Sequence, residues 1–286
     1  MHCPVCNSLV LDITNFLTHL DATETIFYCS SCGHTFVDPS STFNIESYNA
    51  TFYKRSYNVR SFLSIILDYI QSISRFHYIK LFTSFSSTIR LLEVGPGFNP
   101  LSRINTSCFD VAYIETDISA LNYLSSRSSI SYSSIDMAPN SAFDLIVFNH
   151  VLEHIVDINS FLSKCFDKLV PGGLLLLEVP NLDFYRTQSK SCLPHYHSFS
   201  LESIHRLFEN HGDKSIILSL DQLSYESTFS LVAYRLINLI FRLFPNPSKD
   251  LLLIKLLNRF GLVCPPYRIL YSLQPLWIRA ILKKIS

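Results

Sequence analysis

Three carboxylates and two glycines in the middle of the chain have the types and spacing of a ligand site. In "RLLEVGPGFNP" an apolar run reaches Glu93 and is followed by Gly95, Pro96 and Gly97, the pattern of a strand turning closely around a ligand before a helix. A nicotinamide fingerprint needs a third glycine where Pro100 stands, and a P-loop needs a Gly-Lys-Ser/Thr that the stretch lacks. Glu93 would repel a pyrophosphate but suits a cationic amino-acid end. Asp117, in "YIETDIS", stands twenty residues after Gly97, where an acid accepts both hydroxyls of a ribose. Asp136, in "SSIDMAP", ends the following apolar stretch. There it is placed to accept from an adenine amino group while Met137 packs on the ring. The competing role for either aspartate alone is a helix cap or a solvated turn. An adenosine with a cationic tail and no phosphate is S-adenosylmethionine, the cofactor these residues suit together.

The N-terminus carries a second constellation. "CPVC" and "CSSCGH" supply Cys3, Cys6, Cys29 and Cys32, with 22 residues between the two knuckles. Paired Cys-x-x-Cys turns suit tetrahedral zinc, and four thiolates leave no open position for water, so a structural metal is expected. A disulfide pair or a redox Cys-x-x-Cys are the alternatives. His2 and His34 are spare donors, expected at the surface. About forty residues cannot hold a core unaided, which again favours metal.

Strand and helix patterns alternate from residue 89 onward: "TIRLLEV", "VAYIET", "SYSSID", "FDLIVFN" and "GGLLLLEVP", with helical spacing near 100–107, 119–127, 157–169 and in "SLESIHRLFENHG". Near-continuously apolar strands between helices predict an α/β fold, a Rossmann-like, doubly wound, mostly parallel sheet covered on both faces. A helix is expected within residues 60–82. The expected organisation is a zinc ribbon at 1–40, a helical connector or lid at 41–86, a Rossmann-like domain at 87–235 and a basic, amphipathic, helical C-terminal extension at 236–286.

"LLEVGPG", "YIETDIS", "FDLIVFNHVLEHI" and "LVPGGLLLLEVPN" together resemble the class I S-adenosylmethionine-dependent methyltransferases, and among them the methyltransferase-23-like subgroup with an N-terminal zinc ribbon. The resemblance implies that Glu93, Gly95, Pro96 and Gly97 form the cofactor loop and that Asp117 takes the ribose. It implies that Ile118 flanks the adenine, that Asp136 and Met137 bind the base, and that Asn149 and His150 line the floor. Asn99 departs from the subgroup, which often has glycine there. Glu153 and His154 sit near the site, with a structural role between loop and helix equally open.

Methyl transfer to a hydroxyl or carbon acid needs alignment and a base. Histidine suits that role near neutral pH. The resemblance places His195, in "LPHYHSFSLES", in the acceptor-binding segment, so His195 is the first catalytic candidate, with His150 and His197 behind it. A structural histidine is the alternative. The acceptor class implied by the subgroup is a small molecule, a sugar or a glycan-related compound, methylated on oxygen or carbon.

Charge is uneven although the formal net charge is zero: nine Lys/Arg against Asp250 alone lie from Leu231 onward. "LVAYRLINLIFRLFP", "DLLLIKLLNRFGL" and "LWIRAILKKI" read as basic amphipathic helices. They form a cap or interface, or they make peripheral contact with an anionic membrane surface. No run of eighteen apolar residues exists and no signal peptide is visible, so the expectation is a cytoplasmic protein, either free or lying against the inner face of a membrane without crossing it. No Lys or Arg precedes residue 40, which argues against a ribbon that grips nucleic acid. The rival readings are an RNA methyltransferase and a non-catalytic scaffold retaining the fold.

Overall fold

The computed structural model describes residues 1–10, 13–14, 26–37, 62–83, 87–104, 106–126, 130–182, 195–223 and 277–285. Four largely apolar stretches and one short polar one form parallel strands: β4 (Ile89–Val94), β5 (Phe109–Ile114), β6 (Ser131–Tyr132), β7 (Phe143–Asn149) and β8 (Leu169–Pro180). Two more, β10 (Ser215–Leu223) and β11 (Trp277–Lys284), complete a seven-stranded sheet of order β10-β11-β8-β7-β4-β5-β6. β11 is antiparallel to both of its neighbours, so the sheet is mostly parallel, as expected.

Both faces are buried, with alternate residues sent to each. Leu92, Val94, Ile146, Phe148, Leu175 and Leu177 pack on one side with α3 (Ile158–Lys168) and α4 (Leu201–Glu209). Leu91, Leu145, Val147, Leu174 and Leu176 pack on the other with Phe76 and Ile79 of α1 (Phe62–Ile79). Asp157 caps α3 by accepting from the Ser160 amide, and Ser200 caps α4 through a reciprocal pair with Ser203. A short helix α2 (Ile118–Ser125) follows β5.

The ribbon is a four-stranded sheet of order β1-β2-β3-β9, built from β1 (Ile13–Thr14), β2 (Ile26–Tyr28), β3 (Thr35–Val37) and β9 (His197–Ser198). Its last strand comes from beyond β8, so the ribbon and the methyltransferase-like region share a sheet. His34, expected at the surface, is fully buried at 0% exposure.

The end of the chain corrects the expected helix. Residues of "WIRAILKK" form β11, not an amphipathic helix. Trp277, Ile278, Ala280, Ile281 and Leu282 are all buried because the strand lies inside the sheet. The charge that suggested a solvated face is compensated within: Arg279 meets Glu178, and Lys284 Nζ donates to the Leu169 carbonyl at 2.8 Å. Leu223 pairs with Trp277, and Trp277 with Pro180. Leu223 and Trp277, the described residues on either side of 224–276, therefore stand at the carboxyl ends of the parallel strands. The two other basic segments fall in that stretch, outside the described residues.

Candidate active site

The carboxyl ends of β4, β5, β7 and β8 converge, as they must for ligand binding in such a sheet. After β4 the chain turns at Gly95, with φ at +59°; a Cβ there would meet Val151 Cγ2 at 2.7 Å. Glycine is therefore required by conformation and by space. The same contact sets the glycine loop against the turn after β7. Asn99 donates its amide to the Pro96 carbonyl at 3.0 Å. The Asn99 side chain is clasped by Ser72 of α1 at 2.9 Å and by Arg103 at 3.0 Å, which accounts for a non-glycine residue at this position.

Glu93 lies beneath the loop. Its carboxylate accepts from the amides of Leu101 at 2.6 Å and Ser102 at 3.1 Å and is 2% exposed. Burial raises its pKa against those hydrogen bonds. Both oxygens are occupied, so Glu93 shapes the loop and does not face an ammonium directly. Glu115, which sequence reasoning passed over for Asp117, is the second loop anchor. Its carboxylate accepts from the amides of Gly97 at 2.9 Å, Thr116 at 2.8 Å and Asp117 at 2.9 Å. Its spacing of two from Asp117, past the end of a strand, was the available signal.

Asp117 caps α2: Oδ1 accepts from the Ala120 amide at 2.8 Å, and its second oxygen has no hydrogen bond among the described residues. Asp136 is paired with Lys164 of α3, 2.8 Å from Oδ1, and is 58% exposed. Its carboxylate is thus engaged by a lysine at the surface. Ile118 and Met137 stand 70% and 66% exposed, apolar side chains at the ends of adjacent strands. Asn149 ends β7 with a buried Oδ1 that has no hydrogen bond among the described residues.

His150 follows in the left-handed region, φ +56°, where a non-glycine residue costs about 1–3 kcal/mol. Its amide donates to the Glu178 carbonyl at 2.8 Å. Its ring lies between two buried carboxylates, Nδ1 3.5 Å from Glu153 and Nε2 3.5 Å from Glu178. Burial works against the charged ring, but the two carboxylates outweigh it and lift the pKa to about 9. Glu178 is held from behind by Arg75 at 2.5 Å and by Arg279 through Nε at 2.9 Å and Nη2 at 2.6 Å. The arginines hold its carboxyl well below the usual range despite burial.

His195 is brought to the same place. Its ring meets that of His154 edge-on at 4.7 Å, and burial lowers its pKa to about 4 against the pull of Glu153. Glu153 is 1% exposed, and apart from its ion pair with His150 neither of its oxygens has a hydrogen bond among the described residues. Donor atoms of Glu153, His154 and His195 all lie within 4.8 Å of one another, a spacing that would also accept a divalent cation.

In the ribbon, Cys3 and Cys32 sulfurs are 3.7 Å apart and Cys6 and Cys29 sulfurs 3.5 Å apart. A tetrahedron with 2.3 Å Zn–S bonds gives edges of about 3.8 Å, whereas a disulfide requires about 2.05 Å. The four cysteines fit zinc.

Residues 68–214 match the methyltransferase-domain family, just over half the chain. The ubiquinone biosynthesis O-methyltransferase of Bradyrhizobium sp. (strain ORS 278) is 30% identical over 104 residues, 33% of this chain and 41% of that protein. That of Chelativorans sp. (strain BNC1) is 30% identical over 103 residues, 32% and 41% of the two chains. The aligned part thus spans about two fifths of these relatives. Among solved structures, phosphoethanolamine N-methyltransferase 2 of Haemonchus contortus, bound to S-adenosyl-L-methionine, superposes with a TM-score of 0.50 at 14% identity. That likeness covers 88% of this chain and 62% of the other, and it concerns the fold alone. With four sequence motifs in register on a mostly parallel sheet and a glycine loop at its carboxyl edge, the chain belongs to the methyltransferase-domain family of class I S-adenosylmethionine-dependent methyltransferases.

Proposed function

We propose that the chain transfers the methyl group of S-adenosylmethionine to an oxygen or carbon of a small-molecule or glycan-related acceptor, with His195 as the base. The observation that carries this reading is the cluster of His195, His154 and Glu153 beside the turn whose Val151 packs on Gly95. The relatives named for ubiquinone biosynthesis support a small-molecule O-acceptor. Gly95, Pro96 and Gly97 would let the backbone approach the cofactor, Asp117 would offer its second oxygen to the ribose, and Ile118 and Met137 would sandwich the base. Asn149 Oδ1 would accept from the ammonium.

Bound S-adenosylmethionine supplies an electrophilic methyl on a sulfonium. As the methyl group passes to the acceptor, the acceptor proton would go to a ring nitrogen of His195. Glu153 then faces the imidazolium. His150, held charged between two carboxylates, has no lone pair to offer and orients the acceptor side instead. Cys3, Cys6, Cys29 and Cys32 would hold a structural zinc. The test is methyl transfer from labelled cofactor to candidate quinol and glycan acceptors. Loss in His195→Gln with cofactor affinity unchanged is the expected result.

A second reading, in which Glu153, His154 and His195 hold a divalent cation that polarises an acceptor oxygen, is favoured by the close approach of their donor atoms and by a His154 Nδ1 with no hydrogen bond among the described residues. Calorimetric titration with Mg²⁺ and Zn²⁺ against Glu153→Gln separates the two. Peripheral contact with an anionic surface remains part of the proposal. It is supported by the basic, apolar composition of residues 224–276. No described helix is long and apolar enough to cross a membrane.

A further inference from the structure

We propose that His34 of the ribbon and His197 form a buried clip that holds two separate acceptor-side segments, residues 150–157 and 195–200, in register, so that the ribbon positions His195 against Glu153 and His154. This rests on the reading of His195 given above.

The clip has a defined polarity. His197 Nε2 lies 3.2 Å from the Val156 carbonyl, and His197 Nδ1 lies 3.1 Å from His34 Nε2. A carbonyl only accepts, so His197 Nε2 carries the hydrogen, Nδ1 is the acceptor and His34 Nε2 donates to it. Val156 stands two residues after His154, and His197 two residues after His195. One ribbon side chain is thereby connected to both segments that carry the cluster.

The surroundings reinforce the connection. β3 pairs antiparallel with β9, Phe36 opposite His197, and the Val37 amide donates to the Tyr196 carbonyl at 3.0 Å. Ser200 Oγ donates to the Cys32 carbonyl at 3.1 Å. A Cβ at Gly33 would come within 2.9 Å of Ser200 Oγ, so this junction admits only glycine. The His34 ring stacks on Phe36 at 5.7 Å and His197 at 5.2 Å.

Packing alone does not account for His34. Its Nδ1 is buried without a hydrogen bond among the described residues, a cost that phenylalanine in the same aromatic stack would avoid. The imidazole is explained by the donation to His197.

The test uses the full, zinc-loaded chain. His34→Phe keeps the ring and removes the donor; His34→Gln restores a donor. Hydrogen exchange by mass spectrometry is read with zinc content, melting temperature and affinity for S-adenosylhomocysteine. The expected result for His34→Phe is one zinc per chain, S-adenosylhomocysteine affinity within twofold, and amide exchange at least tenfold faster in both 153–157 and 195–199, reversed in His34→Gln. If His34→Phe loses zinc, His197→Phe, which leaves the four cysteines and every residue of 1–40 intact, must give the same pattern. Exchange unchanged, accelerated in only one segment, or accelerated uniformly across the chain overturns the proposal. The readout needs no acceptor and no turnover, so its failure is distinct from a failure of methyl transfer.

Discussion

Arg279 lies within β11 and donates through Nε and Nη2 to a single oxygen of Glu178, at 2.9 and 2.6 Å. A residue near the end of the chain thus fixes the carboxylate beneath His150. Arg75 donates to the other oxygen at 2.5 Å, so α1, β8, β11 and the turn after β7 meet at one buried charge.

Glu178→Gln leaves two buried guanidinium groups short of a counter-charge. Removing one partner of a buried network costs about 3–5 kcal/mol, which denaturant unfolding will show as a lower midpoint with unchanged slope. The wild-type carboxyl has a depressed pKa when folded. Its contribution is therefore complete above the ordinary glutamate value of about 4.3 and is lost as pH falls towards the depressed one. Wild type should lose stability in that acidic window more steeply than Glu178→Gln.

Gly95→Ala places a methyl group against Val151 in a left-handed backbone, where an L-residue costs about 1–2 kcal/mol before the clash is counted. Cofactor affinity should fall at least tenfold, and Val151→Ala in the same chain should recover part of it. Full affinity in Gly95→Ala would remove the glycine loop from the site.

Chelation should release one zinc per chain and expose the β3–β9 junction. Limited proteolysis is then expected within 26–37 and 195–200 first, with β4, β5 and β7 protected. Protease resistance unchanged by chelation would show that the cysteines do not hold the ribbon through a metal.

Liposomes containing anionic lipid should sediment the full chain, and replacement of 224–276 by a short Gly/Ser turn between Leu223 and Trp277 should abolish this. The design keeps β11 in the sheet, which cutting the chain after β10 would not. Equal, weak sedimentation of both proteins would reject membrane contact.

The central parallel strands β4, β5, β7 and β8 were legible because strands buried on both faces are largely apolar, and the Gly95–Gly97 turn because left-handed backbone next to Val151 admits little else. β11 was misread for a physical reason: an arginine between apolar residues looks the same on an amphipathic helix and in a buried strand until Glu178 supplies its partner. The roles of Glu93 and Glu115 were hidden similarly. A carboxylate at a strand end can face a ligand or clasp its own loop, and only the amides of Leu101, Ser102 and Gly97 decide. His34 seemed a surface residue because its neighbour His197 lies 163 positions away.

The central claim is tested most directly by calorimetric titration of the zinc-loaded chain with S-adenosylmethionine, comparing Asp117→Ala with Asp136→Ala. Saturable binding is expected, weakened at least tenfold, about 1.4 kcal/mol, in Asp117→Ala and less than twofold in Asp136→Ala, whose carboxylate is engaged by Lys164. Absence of binding at millimolar cofactor, or binding indifferent to Asp117, would contradict the account.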